Sequence, residues 1–130
     1  MSDMYFREPN QVKWIGSRPG HNGVQVYYDH NTSVIGELLL VPASVTLRRY
    51  LTYYDVTLNE AVASWAQLRV YNGLDVLQWS FASIRNGVNA GTGAKVGCFN
   101  PPFELPVGWY IVTYLSAIVT FEASILGWEE

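Results

Sequence analysis

Residues 64–81 read SWAQLRVYNGLDVLQWSF. Ala66, Leu68 and Val70 alternate with Trp65, Gln67, Arg69 and Tyr71, the period-2 pattern of a strand with two unlike faces. Asn72-Gly73 separates this run from a second one. There Val76, Gln78 and Ser80 alternate with Leu77, Trp79 and Phe81. Asn-Gly accepts the positive φ angles of a type I′ turn, the favoured two-residue hairpin link. The stretch predicts a β-hairpin and sets the class in which the rest of the chain is read.

Outward from the hairpin, strand-like runs recur about every 10 residues between turn clusters. Towards the N-terminus they are 11–17, 24–28, 33–41 and a long run over 44–58. The long run places Val45, Leu47, Arg49, Leu51 and Tyr53 on one face. Thr46, Arg48, Tyr50, Thr52 and Tyr54 form a polar-aromatic stripe on the other. Towards the C-terminus, Arg85–Pro102 is glycine-rich and reads as a surface loop with a short edge strand. A last strand over 118–128 turns Val119, Phe121, Ala123 and Ile125 one way and Thr120, Glu122 and Ser124 the other. Glu129-Glu130 reads as a solvated tail. Helix signals are nearly absent, with a short candidate at Leu58–Ala66 capped by Asn59. These runs predict an all-β chain, an antiparallel β-sandwich of jelly-roll type with roughly 8–9 strands. Residues 1–10 read as an N-terminal arm and 11–130 as one sandwich domain.

One strand departs from the usual pattern. In ELPVGWYIVTYLS (104–116), Trp109, Ile111 and Leu115 share one face, and Tyr110, Val112 and Tyr114 the other. A strand with one wet face should alternate with polar residues. The second face therefore needs a cover, and the simplest is a neighbouring copy of the chain.

Composition narrows the functions. The 130 residues carry 5 Trp, 9 Tyr and 5 Phe, as large a share as all charged residues together, 15% each. Lys is confined to Lys13 and Lys95, beside six Arg. Tyr, Trp and Arg are enriched at interfaces and Lys is depleted there. The formal net charge is −3 with no basic patch, which excludes direct nucleic-acid binding as an expectation. The first ten residues lack the apolar core of a signal peptide, and no apolar run reaches membrane-spanning length.

Catalytic and metal signatures are missing from the pattern. His21 and His30 sit in turn clusters on either side of one strand, about 20 Å apart if that strand is extended. That spacing does not suit a shared metal. Cys98 has no histidine near it in sequence and reads as a buried structural thiol. No cofactor is expected, and the chain is not read as an enzyme. Sugar stacking is the alternative use for exposed rings, with Tyr27, Tyr28, Trp65 and Trp79 as candidates.

Phe103, Leu105, Pro106, Gly108 and Tyr110 form a Leu-Pro-x-Gly-x-Tyr turn that launches an apolar strand. This resembles a strand of jelly-roll trimers. The whole chain is similar in type to the capsid decoration, or cement, proteins of tailed bacteriophages. The resemblance implies a homotrimer on the capsid surface of a virion, made in the host cytoplasm and bound to the major capsid protein. It implies no membrane and no nucleic-acid partner. Tyr5, Phe6, Tyr50, Tyr54, Trp109, Tyr110 and Tyr114 are the expected contact residues. A carbohydrate-binding module or the receptor-binding tip of a fibre or tail is the alternative.

Overall fold

The computed structural model describes residues 24–59, 63–86 and 93–130. The expected arm and the expected strand at 11–17 lie outside them, as does the middle of the short helix candidate. Eight strands run in order: β1 (Val24–Thr32), β2 (Gly36–Val41), β3 (Arg49–Leu58), β4 (Ser64–Tyr71), β5 (Leu77–Asn86), β6 (Gly93–Leu105), β7 (Tyr110–Leu115) and β8 (Phe121–Glu129). They form two antiparallel four-stranded sheets, ordered β1-β8-β3-β6 and β2-β7-β4-β5. The chain crosses between sheets at every connection except β4–β5. This interleaved order is that of a jelly roll.

Alternation packs the sandwich. Leu51, Val56 and Leu58 of β3 and Phe121, Ala123 and Ile125 of β8 face Ala66, Leu68 and Val70 of β4 and Ile111 and Leu115 of β7. All are buried. At the β5–β6 edge the gap between the sheets is filled by rings. Trp79 stacks on Phe81 at 4.9 Å, Phe81 meets Phe99 edge-on at 5.6 Å, and Phe99 and Phe103 lie 5.8 Å apart. At the opposite edge His30 of β1 reaches across to Thr113 of β7, at 2.9 Å.

Strict alternation fails in one strand. In β3, Leu51 pairs with Gly127 and Tyr53 with Leu126, so Thr52 is an extra residue. Such a bulge reverses the phase of the rest of the strand. Tyr54 therefore turns inward and Tyr53 outward, the reverse of the even face pattern expected over 44–58. Gly127 is required here, because a Cβ on it would lie 2.2 Å from the Tyr50 carbonyl oxygen.

Four further expectations change. The hairpin exists, but its link is not a two-residue Asn-Gly turn. Asp75 N–H donates to the Asn72 carbonyl (3.1 Å), Asn72 N–H donates to that of Val76 (3.0 Å), and Asp75 takes the positive φ, 61°. This is a type I turn closed by a left-handed residue, a three-residue hairpin loop. The Asn72 side chain drives it, accepting from the N–H groups of Leu74 (2.8 Å) and Val76 (3.1 Å). Gly93–Leu105 is not mainly loop but a 13-residue edge strand. Its Pro101 and Pro102 are tolerated because an edge strand leaves one side unpaired. Cys98 lies on the outward face of that strand and is exposed, not buried. The tail is not free: Arg48 and Glu130 exchange backbone hydrogen bonds, both at 3.0 Å.

Candidate interaction surfaces

The outer face of the β2-β7-β4-β5 sheet answers what covers the second side of β7. Tyr110 stacks on Tyr71 of β4 at 5.3 Å, and Tyr114 tilts against Trp65 at 4.8 Å. The Arg69 guanidinium lies 4.0 Å from the Tyr114 ring centre, and that of Arg85 lies 5.3 Å from the Trp65 ring. Arg69 also pairs with Glu37 of β2 at 2.8 Å. With the Gln67 amide oriented to satisfy both its ends, its oxygen accepts from Arg69 Nε at 2.8 Å. The Tyr71 hydroxyl donates to Glu37, and that of Tyr110 donates to Asp75 at 2.7 Å. Cross-strand pairing thus covers the second side of β7 within the protomer, although Leu39 of β2 stays exposed beside it, and Tyr110 and Tyr114 are only half-exposed.

Titration behaviour reflects these contacts. Hydrogen bonding to the Asp75 carboxylate, helped by partial burial, pushes the Tyr110 hydroxyl up to about 12. For Glu37 partial burial works upward, but the hydrogen bonds from Tyr71 and Arg69 outweigh it and hold the carboxyl below its usual value. Burial lowers the His30 imidazole, against the opposing pull of Asp29. His30 lies within β1, pointing between the sheets, and not in a turn as its sequence context suggested.

The expected contact and stacking residues do not share one surface. Tyr50 is on the outer face of the other sheet, stacked on Trp128 at 5.0 Å. Tyr54 packs inward, its ring over Gly97 and edge-on to Phe81 at 5.3 Å. Trp109 is partly buried against the core. Only Tyr110 and Tyr114 come together, and Tyr5 and Phe6 lie outside the described residues. Of the four sugar-stacking candidates, Tyr27 is on the outer face of the first sheet and Tyr28 is packed on the core. Trp65 is in the ladder of the second sheet, and Trp79 is in the edge cluster.

Two depressions mark the outer face of the β1-β8-β3-β6 sheet. One of about 350 Å³ is apolar and lies over the bulge, lined by Thr52, Tyr53, Cys98 and Leu126. A second of about 410 Å³ is polar, lined by residues including Asp29, Asn31, Glu122 and Ser124. Among the described residues no three His, Cys, Asp or Glu side chains group closely enough to hold a metal ion.

Sequence reasoning missed the end of the sandwich where β2–β3, β4–β5 and β6–β7 connect. Val45 (88% exposed) and Leu74 (83%) project from it, with Leu47, Val76 and Val107 also exposed. The loops are tied to one another. Gly108 N–H donates to the Ser44 carbonyl at 2.8 Å, and Gly73 lies against Gly108. Gly108, at φ 87°, takes the left-handed position of the Pro106–Trp109 turn. Beneath the loops Arg49 is 2% exposed. Its Nη1 donates to the Pro42 carbonyl (2.7 Å) and its Nη2 to that of Trp109 (3.0 Å), while Nε has no hydrogen-bond partner among the described residues. Leu74 and Val107, apolar residues inside turn segments, were the available signal; Val45, Leu47 and Val76 read as strand residues.

Comparison with known proteins adds no family. No family model matches the chain, and no curated protein matches it.

Proposed function

We propose that the protein is a structural assembly protein of the capsid-decoration type. It oligomerises, attaches to a virion shell and stabilises that shell by burying surface between neighbouring subunits. The observation that carries this reading is the three-loop end of the sandwich. Exposed Val45, Leu47, Leu74, Val76 and Val107 stand on loops locked by hydrogen bonds. Loops already held in one conformation lose little entropy when they dock, so a small apolar area converts efficiently into binding. Attachment of several copies to a repeating shell then multiplies modest contacts. The sugar-binding alternative draws less support. The Trp65 ring is engaged by Tyr114 and Arg85, and one face of Trp79 is taken by Phe81.

The test is co-expression with the major capsid protein encoded nearest to its gene, followed by sedimentation of the particles. The chain is expected to travel with the shells at a fixed stoichiometry. Its remaining at the top of the gradient while shells form would reject this function.

A further inference from the structure

We propose that the outer edge of β1 is the docking site of residues 11–17 of the same chain, added to the β1-β8-β3-β6 sheet as an antiparallel strand. The inference goes beyond the assembly reading and does not depend on it.

The two sheets end on β1 and β6, and on β2 and β5. An open strand edge is a template for unwanted pairing, and proteins blunt it with bulges, proline or lysine. Three of these edges are blunted in this way. β6 carries Pro101 and Pro102, and shifts of register interrupt the pairing of β2 and of β5. β1 has no such device. Its nine residues pair with β8 in unbroken register and include neither Pro nor Lys. Among the described residues no strand pairs with its other side.

The core is open at the same place. Leu38 pairs with Thr113, whose side chain lies between the sheets and meets His30. Leu38 therefore points inward, yet it is 39% exposed. The β5–β6 edge, by contrast, is filled by the rings of Trp79, Phe81, Phe99 and Phe103. On the outer face of β1, Asp29 has no ion pair among the described residues.

Residues 11–17, QVKWIGS, match this edge in length, connection and charge. Seven extended residues span roughly 24 Å, within the roughly 30 Å of a nine-residue strand. They lead into β1 through RPGHNG, a short link of turn residues that suits a hairpin. Alternation puts Val12 and Trp14 on one face and Lys13 on the other. Tyr28 and His30 mark the inward face of β1. Matching faces sets Val12 and Trp14 between the sheets, where Leu38 lacks cover, and Lys13 on the outer face. A turn over 18–22 or 18–24 keeps that match. It places Lys13 diagonal to Asp29 in the first case and directly opposite it in the second, both within reach of a salt bridge. The reverse face assignment buries Lys13 in the gap and leaves Asp29 without its cation.

Residue-resolved hydrogen exchange of the full chain tests this. Every second N–H of β1 bonds to β8, and the others point to the outer edge. These edge amides are expected to exchange at least tenfold more slowly than in an unstructured chain. Trp14→Pro, which breaks a strand and removes the ring, should return them to unprotected rates while β3 and β8 stay protected. Lys13→Glu is the milder change, for use if the proline variant does not fold. It sets like charge beside Asp29 and should speed exchange at the edge severalfold. Edge amides that exchange freely in the wild type overturn the proposal. So does protection that persists unchanged in these variants. Protection that disappears on dilution to the 14.6 kDa monomer would assign the strand to a neighbouring copy, and it also overturns the proposal. None of these results bears on co-sedimentation with shells, so the two ideas fail separately.

Discussion

Single atoms decide where β3 and β8 meet. A methyl group at position 127 would lie 2.2 Å from the Tyr50 carbonyl oxygen and 3.0 Å from Leu51 Cα, both backbone atoms that cannot swing away. Gly127→Ala should therefore destabilise the fold by about 3 kcal/mol or more, read by urea denaturation. A loss below about 1 kcal/mol would mean that the bulge relaxes freely. Gly97 differs, because its neighbour is the Tyr54 side chain, which can rotate. His30 gives a pH prediction. Burial depresses its folded-state pKa below the ordinary 6.5. Above pH 6.5 both states are neutral and stability is full. As pH falls below that value the unfolded chain takes up a proton first, so unfolding becomes easier until the folded-state pKa is passed. His30→Gln should reduce this slope relative to wild type, and an unchanged slope would assign it to other groups.

At the level of elements, the β4–β5 hairpin was legible in the sequence because it is the one connection within a sheet. Its two strands pair across a short loop, so alternation and the turn residues sit side by side in the chain. The turn type was not legible. Asn72-Gly73 suits a type I′ link, but the Asn72 side chain captures two backbone N–H groups and moves the left-handed residue to Asp75. Asn72→Ala should cost about 1 kcal/mol and leave the strands paired, as seen by thermal melting and circular dichroism. The phase of β3 was hidden for a different reason. Thr52 is extra only relative to the distant strand β8, and nothing within 44–58 marks it. The same distance concealed the aromatic edge. Phe81 and Phe99 come from strands of different sheets, and truncating either ring opens the sandwich at that edge. Phe81→Ala, the more buried, should cost about 3–5 kcal/mol in chemical denaturation.

For the whole molecule, the class of fold could be read from spacing and alternation, while the surface could not. Aromatic content pointed to interfaces, yet most of those rings serve the protomer itself. The apolar second face of β7, the strongest reason in the sequence to expect a neighbour, is closed by Tyr71, Trp65 and Arg69 of the adjacent strand. Among the most open apolar side chains are aliphatic tips at one end, some in segments that read as strand (Val45, Leu47, Val76) and some in turn segments (Leu74, Val107). Assembly is therefore expected to use this end and not the sheet faces. Hydroxyl-radical footprinting of the dilute protein against the concentrated or shell-bound protein tests it most directly. Labelling of Leu47, Leu74 and Val76 should fall severalfold on assembly, with Tyr110 and Tyr114 unchanged. Protection of Tyr110 and Tyr114, with the loop tips still labelled, would contradict it.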